Sequence, residues 1–149
     1  MFKIEIPLDN SKDNLMLPTP YTNLSQITKI FHTEAVEAVF MYGRCHIYAL
    51  TLKQLNPQLQ LKAIYRDNNL HHVYCLNPET GETMDASGTY KSIDSYVDAD
   101  PLQRYLLVTH KDITVEEINK LIEYNVLVPA SQESVFLAQR TAESLNQIF

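Results

Sequence analysis

Apolar residues recur at helical spacing in two parts of the first third of this chain. Within residues 23–40 they predict one broken helix or two short helices, with Thr33 as the cap at the break. Within residues 45–55 apolar positions three apart predict a further helix, which Pro57 brings to an end. Gly43 interrupts the pattern between the two segments, so the second helix begins independently of the first.

Two more helices are predicted near the end of the chain, and each begins with a recognisable capping residue. Thr114 and Glu117 form a capping box that opens a helix reaching about Tyr124. Ser131 caps the last helix. The apolar residues along one face of that helix are Val135, Ala138, Ala142, Leu145 and Phe149.

Alternation of apolar and polar residues predicts strands elsewhere. Residues 2–7 alternate at the start of the chain, and residues 59–65 read as a half-buried strand. Residues 70–76 and 82–86 flank the turn Asn77-Pro78-Glu79-Thr80-Gly81, in which proline presets one dihedral angle and glycine tolerates the left-handed conformation. A β-hairpin is therefore predicted at this turn.

The remaining segments are polar, apart from a short β-type apolar run at residues 105–108. Residues 89–103 read as a polar linker, and residues 1–20 contain a polar stretch that we expect to form a flexible arm. The mixed order of helices and strands predicts an α+β fold. A single domain is expected over residues 1–149, without internal repeats.

Composition narrows the class of protein. A chain of 149 residues with 45% apolar content can bury a sizeable core in one domain. The formal net charge is −6 and the basic residues are scattered, which argues against nucleic-acid binding. No apolar stretch has the length of a secretion signal or a membrane span, so a cytoplasmic protein with free thiols at Cys45 and Cys75 is expected.

The three glycines of the chain all lie near residues with catalytic chemistry. Gly43 precedes Cys45 by two residues, Gly88 follows Asp85 by three, and Gly81 closes the hairpin between the histidine pair and this carboxylate. A thiol, an imidazole and a carboxylate in this order are the groups of a nucleophile, its base and the residue that orients the base.

The predicted position of Cys45 in the first turn of a helix suits a nucleophile. Unpaired backbone N–H groups and the positive end of the helix dipole favour the thiolate there. The same N–H groups are placed to bind an oxyanion, and the hydroxyl of Tyr42 is a possible additional donor. The alternative is that Cys45 is a small buried apolar residue.

The register of the hairpin selects between two candidate bases. With a four-residue loop, His72 lies on the same side of the sheet as Asp85, one diagonal step away, whereas His71 faces the other side. A different loop length or a bulge would reverse this choice. His72 is therefore the preferred base and His71 the alternative, with Asp85 as the orienting residue.

Two further interpretations concern neighbouring ligand-type residues. His46 points about 100° around the helix from Cys45, which favours a substrate-side, oxyanion or packing role over that of the base. Zinc is an alternative for Cys45, His72 and Asp85, although the chain has no closely spaced Cys or His ligand pairs of the usual type. We expect no metal and no cofactor.

Three segments together resemble the core of papain-like and transglutaminase-like cysteine enzymes, in the compact form found in bacterial and phage proteins. They are GRCHIYAL at 43–50, HVYCL at 72–76 and GETMDASG at 81–88. The resemblance implies a papain-like fold in which a helix carrying the cysteine packs on a small antiparallel sheet. It also implies that Cys45 is the nucleophile, His72 the general base and acid, and Asp85 the residue that fixes the imidazole.

The function expected from these residues is acyl transfer by a cysteine nucleophile, acting on an amide or thioester carbonyl of a peptide or protein substrate. The resemblance covers peptidases, amidases, deamidases and transglutaminases without selecting among them. Two alternatives remain at this stage. One is an inactive papain-like binding or regulatory protein, for instance a phage or mobile-element protein that binds a host protein. The other is an α+β domain in which the three groups never meet.

Overall fold

The computed structural model describes Leu8 and residues 34–41, 43–99 and 108–148, and this part contains five helices and five strands. The helices are α1 (Glu34–Met41), α2 (Cys45–Leu55), α3 (Ile93–Ala99), α4 (Val115–Glu123) and α5 (Gln132–Ser144). The strands are β1 (Gln60–Arg66), β2 (Asn69–Leu76), β3 (Thr83–Asp85), β4 (Gly88–Tyr90) and β5 (Thr109–Asp112).

The strands form one antiparallel sheet in the order β4-β3-β2-β1-β5. The predicted α+β class is therefore confirmed. The pairing of β1 with β2 shifts after the Ile64–His72 pair, because Tyr65 is opposite Leu70. His71 is the extra residue of β2 at this bulge, and its side chain is exposed.

Helix α2 lies between the sheet and α5, and it contacts β2 on one side and α5 on the other. Its side chains from His46 to Leu52 are all buried, which places it at the centre of the core. Val73 and Cys75 of β2 belong to the same apolar cluster as Leu50 of the helix. Successive residues of a strand point to opposite faces, so His72 and Tyr74 face away from this cluster.

The other face of the sheet carries a smaller cluster that includes Ile64, Tyr74 and Tyr96. Tyr96 comes from α3, within a stretch for which the sequence predicted a polar linker. That prediction was wrong, because the stretch forms β4 and then α3. Serine and aspartate are frequent in this region, and among its described residues Tyr96 is the large side chain that is buried, at 3% exposure.

Most of the other predicted elements are confirmed. Helix α2 has the predicted limits, and β1 and the hairpin strands lie within a residue or two of their expected positions. Helix α1 corresponds to the second part of the predicted helical segment 23–40, whose first part, residues 23–33, lies outside the described residues. Thr114 and Ser131 cap α4 and α5 with complete capping boxes. Residues 2–7 and 101–107, and the arm apart from Leu8, lie outside the described part of the chain, as does Thr33.

The last helix ends earlier than its apolar pattern suggested. Ser144 is the final helical residue, and Asn146 adopts a left-handed conformation with φ of 56°. Ala138 and Ala142 are buried as expected, but the helix has ended before residue 149. None of the described helices combines the length and apolar character that crossing a membrane requires.

Candidate active site

Cys45 is the first residue of α2, as the sequence predicted. Gly43 leads into the helix with φ of 105°, a backbone conformation that residues other than glycine rarely adopt. Arg44 occupies the N-cap position without a side-chain capping hydrogen bond, and no acidic residue lies in the first turn. The half-buried thiol is thus at the start of a helix whose first backbone N–H groups receive no capping bond from the Arg44 side chain.

The hairpin between β2 and β3 has the predicted four-residue loop. The N–H of Asn77 donates to the carbonyl of Glu82 at 2.8 Å, and Cys75 is opposite Met84. The register that brings His72 and Asp85 to the same side of the sheet is therefore confirmed. The two side chains meet, with Nε2 of His72 donating to Oδ2 of Asp85 at 3.0 Å.

Asp85 accepts hydrogen bonds at both carboxylate oxygens. Oδ1 accepts from the backbone N–H of Ser87 at 2.8 Å and from its hydroxyl at 2.5 Å. Oδ2 accepts from the Tyr96 hydroxyl at 2.6 Å and from His72. Burial opposes the charged form, but these bonds and the His72 charge outweigh it and lower the pKa of Asp85.

A second chain of hydrogen bonds fixes the backbone at Asp85. Nε2 of Gln147 donates to the Asp85 carbonyl at 3.0 Å and to the Thr89 hydroxyl at 3.2 Å. The hydroxyl of Tyr48, from α2, donates to Oε1 of Gln147. This connection links the nucleophile helix to the orienting carboxylate through a buried glutamine near the end of the chain.

Sequence reasoning missed Ser87, Tyr96, Tyr48 and Gln147. A local signal existed only for Ser87, since a serine two residues after an aspartate is the usual donor in an Asx turn. The other three are 11 to 99 residues from their hydrogen-bond partners and carry no pattern that reveals the contact.

The thiol of Cys45 is unusually acidic. Burial raises its pKa, but hydrogen bonding and charge from His46 and His72 outweigh burial and lower the pKa to about 6. Burial likewise lowers the pKa of His72, but Asp85 and Cys45 outweigh it and raise the pKa to about 10. Because Nε2 of His72 is hydrogen-bonded to the Asp85 carboxylate, Nδ1 is the ring nitrogen that can exchange a proton with the Cys45 sulfur.

The other residues that the sequence suggested for the site differ in burial and in hydrogen bonding. His46 is fully buried and its Nε2 donates to the carbonyl of Val128 at 2.7 Å, so it presents no surface to a substrate in this structure. His71 is exposed at the bulge and takes no part in the His72–Asp85 pair. Tyr42 lies outside the described residues. Cys75 is buried, its thiol donates to the Ala49 carbonyl at 3.3 Å, and burial raises its pKa.

Within the described residues, no group of three or more His, Cys, Asp or Glu side chains has an arrangement that could hold a metal ion. Comparison with protein-family models, curated proteins and solved structures gave no match to this chain. The resemblance to papain-like enzymes stays a prediction, and the interpretation of function rests on the placement of Cys45, His72 and Asp85.

The pKa shifts of Cys45 and His72 change the free energy of unfolding with pH in opposite directions. The pKa of Cys45 is lowered from 9.0 to about 6, so between these values the folded chain binds fewer protons than the unfolded chain and stability rises with pH. The pKa of His72 is raised from 6.5 to about 10, so the folded chain binds more protons over that range and stability falls with pH. Where the ranges overlap, the two slopes cancel.

Replacing Cys45 by alanine should expose the His72 contribution. We expect the free energy of unfolding to be nearly flat for the natural chain between about pH 6.5 and 8.5. In Cys45→Ala it should fall above about pH 6.5 by up to about 1.4 kcal/mol per pH unit, over a narrower pH range because Asp85 still raises the pKa of His72 but the thiolate no longer does. Urea unfolding at several pH values measures this. Cys75→Ala is the control, because its loss of stability should be the same at each pH. Parallel curves for Cys45→Ala and the natural chain would contradict the assignment.

Proposed function

We propose that this chain is a cysteine-dependent acyl-transfer enzyme with a papain-like arrangement of Cys45, His72 and Asp85. The observation that carries the proposal is the pair of His72 and the buried Asp85 carboxylate, 3.0 Å apart, together with the thiol at the start of α2, whose pKa His46 and His72 lower. The position of the helix on the antiparallel sheet supports the papain-like interpretation.

The first half of the reaction forms an acyl-enzyme. The Cys45 thiolate attacks the carbonyl carbon of an amide or thioester, and the carbonyl electrons move to oxygen, where N–H groups of the first turn of α2 stabilise the oxyanion. The carbonyl then re-forms and the bond to the leaving group breaks. His72 gives the proton on Nδ1 to the departing nitrogen or sulfur.

The second half regenerates the thiolate. Water or an amine loses a proton to Nδ1 of His72 and attacks the thioester carbon, after which the bond to sulfur breaks. Asp85 keeps its charge throughout and holds the ring by Nε2, which fixes the tautomer in which Nδ1 exchanges the proton. The acyl donor is proposed to be a peptide or protein.

Two free cysteines support a reducing compartment, and we infer that the protein acts in the cytoplasm. Such a compartment would also protect the thiolate from oxidation to a sulfenic acid or a disulfide, either of which would block attack.

An activated ester tests the proposal without knowledge of the natural substrate. With p-nitrophenyl acetate, we expect a burst of about one equivalent of nitrophenolate per chain at pH 7 and one acetyl group on Cys45, detected by peptide mass mapping. An added amine should speed turnover of the acyl-enzyme.

The control variant is Cys45→Ser, which should give no burst, whereas iodoacetamide should label Cys45 of the natural chain far faster than the buried Cys75. Equal slow labelling of both thiols, or a burst that survives Cys45→Ser, would remove the basis of the proposed function.

A further inference from the structure

Tyr96 is a buried phenol that the proposed reaction leaves without a role. It lies in α3, and its hydroxyl donates to Oδ2 of Asp85 at 2.6 Å. Nε2 of His72 donates to the same oxygen at 3.0 Å. The Tyr96 ring also lies against His72, with ring centroids 6.5 Å apart and an angle of 28° between the ring planes. One side chain thus contacts both the imidazole and the carboxylate that orients it.

The orientation of the Asp85 carboxylate depends on its hydrogen bonds. Rotation about the terminal bond of an aspartate side chain is soft, so rotamer preference does not decide where each oxygen points. Oδ1 is held by the N–H and hydroxyl groups of Ser87, which belongs to the same turn and moves with Asp85. Tyr96 belongs to a different element, and its bond therefore fixes Oδ2 relative to the rest of the fold.

A second tyrosine supports the other carboxylate oxygen indirectly. The hydroxyl groups of Tyr90 and Ser87 are hydrogen-bonded at 2.8 Å. Because Ser87 donates its one hydroxyl proton to Asp85, Tyr90 is the donor in this pair. Of the two phenols, Tyr96 is the one that binds the oxygen shared with His72.

Tyr96 is itself held in one position by aromatic neighbours. Its ring centroid lies 4.7 Å from that of the buried Tyr74 and 5.2 Å from that of Tyr90. Burial and the charge of Asp85 raise the pKa of Tyr96 well above its ordinary value, so the hydroxyl keeps the proton that it donates. The hydroxyl is therefore a donor already aimed at the carboxylate before any substrate binds.

We propose that Tyr96 is a positioning residue for the reaction, because its hydroxyl fixes Oδ2 of Asp85 at the place where that oxygen holds Nε2 of His72. This inference rests on the proposed function, since it concerns the same base and carboxylate. It goes further by making the orientation of His72 depend on α3, an element outside the helix and hairpin that carry the three reacting groups.

The variant Tyr96→Phe removes the hydroxyl and keeps the ring. The measured quantity is the rate at which isolated acetyl-enzyme loses the acetyl group from Cys45, followed by intact mass, because His72 acts as the base in that step. We expect this rate to fall by a factor of about 10, the size typical of one hydrogen bond to a charged group. The nitrophenolate burst should stay at about one equivalent, since the nucleophile is unchanged.

Tyr74→Phe is the matched control. It removes a buried hydroxyl from the same aromatic cluster, but one that is bonded to Nδ1 of His110 at 2.8 Å and not to Asp85. Loss of a buried hydrogen bond should lower the free energy of urea unfolding in both tyrosine variants. Only Tyr96→Phe should slow the loss of the acetyl group.

A double variant tests whether Tyr96 acts through Asp85. In the Asp85→Asn chain the hydroxyl has lost its anionic acceptor, so adding Tyr96→Phe should slow the step by less than about twofold. An effect of Tyr96 that did not pass through the carboxylate would be the same in both backgrounds.

Three results would overturn the inference alone, with the burst of the natural chain intact. They are equal rates in the natural chain and Tyr96→Phe, an equal fall in Tyr74→Phe, and an undiminished fall when Tyr96→Phe is added to Asp85→Asn. Absence of the burst in the natural chain would instead overturn the proposed function, and the inference with it.

Discussion

Replacing His72 by alanine should raise the pKa of the Cys45 thiol. Hydrogen bonding and charge from His46 and His72 together lower that pKa to about 6 against the effect of burial, so without His72 only His46 favours the thiolate while burial still opposes it. At pH 6 we expect the thiolate fraction, about one half in the natural chain, to fall by a factor of about 10 or more, because each unit of pKa is a tenfold change. Ultraviolet absorbance of the thiolate across a pH titration measures this directly, with Cys45→Ser as the baseline.

The same variant should also lose turnover, because His72 is the proposed proton donor and acceptor. We expect the rate of nitrophenyl acetate turnover to fall by a factor of about 10² to 10⁴. His71→Ala is the matched control, since it removes a neighbouring imidazole that is exposed at the β2 bulge. If His71→Ala changed the titration of Cys45 as much as His72→Ala, the assignment of the base would be wrong.

Replacing Asp85 by asparagine should reduce both stability and reactivity. The carboxylate accepts bonds from His72, Tyr96 and Ser87, and an amide group has only one oxygen to offer these donors. At least one donor pair would therefore face an N–H group. We expect a loss of about 3 kcal/mol in the free energy of unfolding, as is typical when one partner of a buried ion pair is removed.

The catalytic consequence follows from the tautomer of His72. Without a carboxylate at Nε2, the ring is free to carry its proton on either nitrogen, and we expect turnover to fall by a factor of about 10² to 10⁴. Asp112→Asn is the matched control, because that carboxylate is 82% exposed in its pair with Lys62 and should change stability by less than about 1 kcal/mol. Similar losses in both variants would show that Asp85 has no special role.

Much of the fold could be predicted because its signals are local. Capping residues such as Thr114 and Ser131 bind unpaired backbone N–H groups within three residues along the chain. A few consecutive residues are therefore enough to predict where a helix begins. The hairpin was predictable for the same reason, since Pro78 and Gly81 define a loop whose length sets the register. His72 was selected over His71 through that register, and the observed pairing of Cys75 with Met84 agrees.

The predictions from sequence failed where contacts between residues far apart in the chain determine the structure. The segment after Gly88 has little apolar content and was predicted to be a linker, but it folds because Tyr96 reaches Asp85 and the aromatic side chains of the sheet. Gln147 joins α2 to the Asp85 backbone across the whole fold. Contacts of this kind depend on how elements pack, which neither propensity nor spacing encodes.

The sequence by itself determined where Cys45 sits in its helix, which histidine shares a face with Asp85, and that the fold is α+β. These properties follow from periodicity and turn chemistry over a few residues. Only the tertiary structure decided that His46 and His72 would both act on the thiol of Cys45, and that Tyr96 and Ser87 would donate hydrogen bonds to the Asp85 carboxylate. The acidity of Cys45 depends on burial and on charges that packing brings together, and both are properties of the assembled core.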